Sequence, residues 1–379
     1  MELNKIKSLD GLRAIAIFLV LTWHYFNCLV NGQLFAGAME QVKYFTFWTW
    51  SGVDLFFVLS GFLIGRILLH NRGSKNYFKT FYLRRILRIL PAYYLILLIF
   101  LIFSLSGMGA YYPWLTAGVH PFYSYCFFIQ NFWMAGYASW GSNWLGVTWS
   151  LAVEEQFYLL LPLLIYLVNP KYLKGILVFG ILSAPFFRAY FQSIGSYVLL
   201  PARMDSLFTG VLIAYFHLNG IIEKKLKGKQ KFMLLTLAIF FILIFICGNI
   251  ETLGGVCIHS VLTLFYGTIL ISVLVLNKNS IVSRVLSSSF LSFFSRISFM
   301  IYLSHQVFSG LLHGKILHQT PQINNYKDGL VTLLALVITI AFSGLSYHYY
   351  EKPILSLGKK YKYHDKYFYS ASMVAPGKI

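Results

Sequence analysis

Ten stretches of about 20 predominantly apolar residues dictate what this chain can become: 11–31, 48–70, 82–106, 145–168, 173–192, 203–218, 231–248, 256–276, 289–313 and 329–350. A run of that length, coiled at about 1.5 Å per residue, matches a bilayer hydrocarbon core roughly 30 Å thick. In lipid the backbone must satisfy its own hydrogen bonds, so such runs become helices. Only 11% of the 379 residues are charged, against about 25% in an ordinary soluble domain. The sequence therefore predicts an all-α polytopic membrane protein of about ten transmembrane helices.

The charges test that count independently. A net charge of +19 would suggest nucleic acid in a soluble chain, but in a membrane protein what matters is where the cations lie. Of the 31 Lys and Arg, 25 fall in the N-terminus, in every second loop with its flanks, and in the tail. The alternate loops hold Lys43, Arg188, Arg203, Lys315 and Lys327, and Arg296 lies within the ninth run. This asymmetry predicts both termini in the cytoplasm and a multi-pass protein of the inner (plasma) membrane. An odd number of spans would scramble it. Lys5, Lys7 and Arg13 before the first run look superficially like a signal peptide, but the run's length and the nine that follow predict an uncleaved span. Residues 1–355 read as one transmembrane domain and 356–379 as a basic cytoplasmic tail lying against anionic headgroups. Cys28, Cys126, Cys247 and Cys257 are scattered, which predicts neither a metal site nor a disulfide framework.

Ionisable residues inside spans are expensive and mark candidate sites. In LDGLRAIAIFLVLTWH (9–24) the eleven-residue spacing puts Arg13 and His24 on one helix face, about 16 Å apart. On the predicted topology Arg13 lies at the inner mouth and His24 near the midplane. Arg84, Arg85 and Arg88 cluster on the third helix at the same mouth; their planar forks suit phosphate, although Arg84 also reads as ordinary anchoring. Asp54, within SGVDLFFVLSGFLI (51–64), needs a partner. Glu154 and Glu155, within WSLAVEEQFYLLLP (149–162), are expected near the depth of His24, and only one of the two can face it. Arg203 and Asp205 read as a local pair anchoring the sixth helix, and His305 stands in the outer half of the ninth. His70, His120, His217, His313, His318 and His364 lie in or near loops and receive no role. The aromatic, cation-free segment 107–144 reads either as an interfacial belt or as a platform for stacking sugar rings.

The first-helix Arg-x10-His pattern and SGVDLFFVLSGFLI, with RRILRILPAYY (84–94), WSLAVEEQFYLLLP, RMDSLFTG (203–210) and ISFMIYLSH (297–305), together resemble the acyltransferase 3 family of bacterial membrane O-acyltransferases. The likeness runs in order from about residue 8 to 355. It implies functional importance for Arg13, His24, Arg85 and Arg88, acyl-coenzyme A as donor substrate, no tightly bound cofactor, and cell-surface carbohydrates as typical acceptors. Ser304 and Gln306 stand where the family often has tryptophans, so the acceptor pocket is expected to differ. Some members append an extracytoplasmic SGNH-type domain. The present sequence shows none, so a partner or a single-step transfer is expected to serve.

These readings converge on a membrane O-acyltransferase of cell-envelope carbohydrate, acting by O-acetylation. Arg85, Arg88 and Arg13 would hold the coenzyme A phosphates, His24 would act as general base, and Glu154 or Glu155 would orient its imidazole. Asp54, Arg203, Asp205 and His305 are expected to support the site or bind substrate. A covalent route through His24 or Ser60 stays open. The competing class is a transporter or flippase for polysaccharide or lipid-linked sugar, which midplane ionisable groups and an aromatic outer loop would also suit.

Overall fold

The computed structural model describes residues 5–30, 41, 43, 44 and 46–364; tail residues 365–379, Lys366 and Lys378 among them, lie outside the described residues. Among the described residues, ten helices of 15 residues or more form the body: α1 Ser8–Thr22, α2 Gly52–Asn71, α3 Tyr77–Leu105, α4 Trp149–Leu167, α5 Pro170–Phe191, α6 Leu200–Leu218, α7 Gln230–Gly248, α8 Glu251–Val275, α9 Ser289–Leu312 and α10 Tyr326–Ser346. Among the described residues the only β-pairing is an isolated bridge between Val30 and Ile323. The all-α expectation holds. Nine of these helices, some with the turns that flank them, are long and apolar enough to cross a membrane, and α9 falls short on composition. The reason lies in where its polar groups point: Ser295, Ser298, Ser304, His305 and Ser309 are buried in the bundle, while Phe290 and Phe293 face outward.

The centre of the bundle is the crossing of α2 and α6. Gly61 and Gly210 face each other there, and a methyl group at either would run into the backbone of the other helix, at the carbonyl of Leu207 or of Val58. Small residues let two helices approach backbone to backbone where no hydrophobic effect drives them together. That approach decides the site, because it draws Asp54 on α2 toward Arg203 on α6. The periphery is the converse: α7 turns Phe232, Leu234, Leu235, Phe241 and Ile242 outward, as a lipid-facing helix does.

Contacts between loops gather the cation-rich segments at one end. Gly11 abuts Leu286 of the short helix Ile281–Leu286. Arg72 donates to the carbonyls of Tyr166 and Val168, and Asn76 donates to that of Lys362. At the opposite end the segment between α3 and α4 folds into short helices, including Pro113–Thr116, Gln130–Tyr137 and Asn143–Gly146. Leu115 and Trp114 of this segment pack on Gly310 of α9.

Two departures from sequence expectation shape the site. First, α1 does not continue regularly to residue 31 but widens into a π-helical turn, Trp23–Asn27, that carries His24. Such turns are uncommon and concentrate at functional sites. Second, α3 begins at Tyr77 rather than near 82, because the cationic stretch Lys79–Arg88 continues the helix beyond its apolar part. Arg85 and Arg88 therefore sit within a continuous helix.

Candidate active site

His24 lies on the wall of the larger of two adjoining cavities. Its Nδ1–H donates to the carbonyl of Val20 at 3.0 Å, so in the neutral ring the lone pair is on Nε2. The cavity encloses about 740 Å³ and is aromatic: Trp50, Trp114, Trp140, Trp149 and Tyr197 line it, with Ser142, Asn143, His259, Tyr302 and Gln306. Trp114, Trp140 and Asn143 come from the segment after α3, so part of that segment lines the cavity.

The smaller cavity, about 70 Å³, lies between this one and the cation-rich end. Arg13, Ser60, Ser150 and Glu154 supply its polar wall, and Phe56, Phe57, Leu59, Leu63 and Phe299 its apolar wall. Val53 and Tyr302 line both cavities. Tyr302 forms the partition: its hydroxyl donates to the carbonyl of Val147 at 2.7 Å and pairs with Ser150 Oγ at 2.5 Å. Val20 on α1 and His24 in the turn after it face the larger cavity and Arg13 the smaller, so the shared stripe read from the sequence spans the partition.

Arg13, Arg85 and Arg88 form one electrostatic cluster together with Glu154 and Tyr158. Arg85 lies over the Tyr158 ring, 5.7 Å from its centroid. Arg88 is exposed and its two companions are half-buried. Among the described residues, none of the three guanidiniums has a hydrogen bond to a protein acceptor. Carboxylates lie within electrostatic reach of them, Glu154 first, but the guanidiniums keep free donors, which is what an anion site requires. Arg84 takes a different part. Its Nε donates to the carbonyl of Tyr361 at 2.7 Å and its guanidinium lies over Tyr363, tying the described part of the tail to α3.

Two sequence expectations are corrected here. The carboxylates do not orient His24. Glu154 faces Arg13, Ser60 and Tyr158 in the smaller cavity, and Glu155 lines neither cavity. The group on the imidazole Nδ1 is a backbone carbonyl. Trp149, at the start of α4, lines the larger cavity, and Glu154, further along the same helix, lines the smaller. Nor do Arg203 and Asp205 pair with each other. Arg203 Nη2 bonds Asp54 Oδ1 at 2.9 Å, and Asp205 Oδ2 bonds Arg188 Nη2 at 2.9 Å. Arg203 sits among Phe57, Trp149 and Tyr197, with the Tyr197 centroid 4.9 Å away.

Both ion pairs are buried, and Asp54–Arg203 lies against Trp149, Tyr197 and His259 of the larger cavity's wall. Asp54 and Arg203 are fully buried, and His259 Nδ1 stands 3.4 Å from Asp54 Oδ1. No motif marked His259 or Arg188, although a lone histidine in the eighth apolar run could have been flagged by the rule that found His24. Removing one partner of such a pair leaves an uncompensated charge, a loss of about 3–5 kcal/mol. Asp54→Ala and Arg203→Ala should therefore each melt well below the parent protein in detergent. Replacing both by apolar residues should lose less than the two single changes summed. Full additivity would show the pair to be uncoupled.

A family profile described as an acyltransferase domain matches residues 6–348. A provisionally named O-acetyltransferase of Staphylococcus aureus strain COL is 27% identical over 394 aligned residues, covering 95% of this chain and 59% of the relative. The O-acetyltransferase OatA of Staphylococcus aureus strain NCTC 8325 is 26% identical over 385, covering 93% and 58%. The chain thus spans less than two thirds of the length of the curated relatives it matches. No solved structure matches it.

Proposed function

The chain belongs to the acyltransferase domain family, and on that premise we propose that it transfers an acetyl group from acyl-coenzyme A to a hydroxyl of a cell-surface carbohydrate. The donor enters at the cation-rich end, taken as cytoplasmic, and its phosphates meet Arg85, Arg88 and Arg13. The acceptor occupies the aromatic cavity, where a sugar ring stacks on tryptophan and its hydroxyls meet Ser142, Asn143 and Gln306. The protein works in the plasma membrane, between a donor made inside and a glycan displayed outside.

One observation carries this reading: the hydrogen bond from Nδ1–H to Val20 leaves Nε2 as the basic nitrogen on the cavity wall. Nε2 removes the acceptor's proton as its oxygen attacks the thioester carbonyl. The C–S bond then breaks, and the departing thiolate takes that proton from the imidazolium. The pantetheine arm reaches His24 only if Tyr302 swings aside. That motion breaks the bonds to Val147 and Ser150, each worth about 0.5–1.5 kcal/mol. The narrow smaller cavity and the names of the relatives both favour acetyl over longer groups.

The test supplies radiolabelled acetyl-coenzyme A to membranes containing the protein and follows base-labile label in glycan on the opposite face. Label in ester linkage, absent from membranes lacking the protein, is the expected result. Glycan carried across the membrane unlabelled would overturn the reading in favour of transport.

A further inference from the structure

In α9 the side chain of His305 folds back on its own helix: Nδ1–H lies 3.1 Å from the carbonyl of Ile301 and 2.8 Å from that of Tyr302. This fixes the tautomer and leaves the lone pair on Nε2, at the ring edge away from those carbonyls. The residue is fully buried, and among the described residues Nε2 has no hydrogen-bond partner. A buried imidazole with an idle acceptor is a poor choice for packing alone, since an apolar side chain would fill the space without an unsatisfied group.

The neighbour of this ring is His24, whose centroid lies 4.8 Å away with the planes at 58°. The placement is held from both sides. Tyr25, next to His24 in the same π-helical turn, donates its hydroxyl to the carbonyl of His305 at 2.8 Å and pairs with Thr339 of α10 at 2.8 Å. The π-helical turn after α1 is thereby locked to one turn of α9 with the two imidazoles together. Val20, which holds Nδ1 of His24, is a neutral acceptor and offers less than a carboxylate would to an imidazolium.

The geometry points to His305 as the positioning residue for His24: its idle Nε2 lone pair stabilises the imidazolium that forms when His24 takes the acceptor's proton. His305 performs this without gaining or losing a proton; the proton passes from acceptor oxygen to His24 Nε2 and on to the coenzyme A thiolate. The role rests on the proposed acyl transfer and fills the place expected of Glu154 or Glu155.

The full-length protein in lipid nanodiscs, assayed with acetyl-coenzyme A and a glycan acceptor, tests it with two variants. His305→Leu keeps the volume and removes the lone pair; His305→Gln puts an amide oxygen near the position of Nε2. The expected result for His305→Leu is a fall in kcat on the order of 100-fold, with both KM values within about twofold of the parent and a similar melting temperature. His305→Gln should recover at least about tenfold of that loss. A fully active His305→Leu protein, or a His305→Gln protein equally well folded but no better than His305→Leu, would overturn the assignment while leaving acyl transfer in place. A parent protein that transfers nothing from acetyl-coenzyme A would overturn both.

Discussion

Acyl transfer by a His24→Ala protein is expected to fall by on the order of 10³- to 10⁴-fold, equivalent to about 4–5.5 kcal/mol of transition-state stabilisation. His24 is half-buried on a cavity wall and makes a single side-chain hydrogen bond, to its own helix. Its removal should therefore leave membrane insertion and melting close to those of the parent. His24→Asn sharpens the comparison: the amide can still donate to Val20, but nothing replaces Nε2, so it should be as inactive as His24→Ala. Normal product from either variant would end the general-base assignment. Loss of activity with loss of fold would point to a packing role instead.

The second large effect concerns the guanidinium cluster. Each charge-assisted bond to a phosphate is worth about 1.5–3 kcal/mol, so replacing both Arg85 and Arg88 by Ala should weaken coenzyme A binding by on the order of 10²- to 10⁴-fold. Lys at both positions should restore only part, because a point charge lacks the fork that grips two oxygens at once. Stability should move the other way. Arg88 is exposed and faces Arg13 and Arg85 as like charges, so its removal relieves repulsion and the variant should melt no lower than the parent. Calorimetry with coenzyme A at low and moderate salt reads both expectations. Unchanged affinity in the double variant would refute the clamp.

Much of this was legible in the chain itself, and what was not has identifiable causes. Apolar run length located the helices because lipid leaves the backbone few alternatives. The ionisable-residue rule found Arg13, His24, Asp54, Glu154, Arg203, Asp205 and His305, since each departs from an otherwise apolar run. Pairing was another matter. Asp54 joins Arg203 and Asp205 joins Arg188 across helices distant in sequence, a consequence of the Gly61–Gly210 crossing that no spacing encodes. The π-helical turn at Trp23–Asn27 leaves no mark in hydropathy, and the carbonyl that holds His24 belongs to the backbone, which is the same at every position. Glu154 lines the smaller cavity with Arg13 rather than meeting His24, on the far side of a partition at Tyr302 that no spacing encodes.

The composition of α9 bears on how the protein is made. A segment with buried serines and an interior histidine is less apolar than the other nine and gains less from lipid on its own. Its neighbours hold it: the π-helical turn after α1, synthesised long before it, whose Tyr25 grips the His305 carbonyl, and α10, emerging just after, whose Thr339 meets that same tyrosine. Biogenesis thus couples the first and last thirds of the polypeptide, and the two histidines meet only in a chain whose ninth segment has been accepted by the membrane in company.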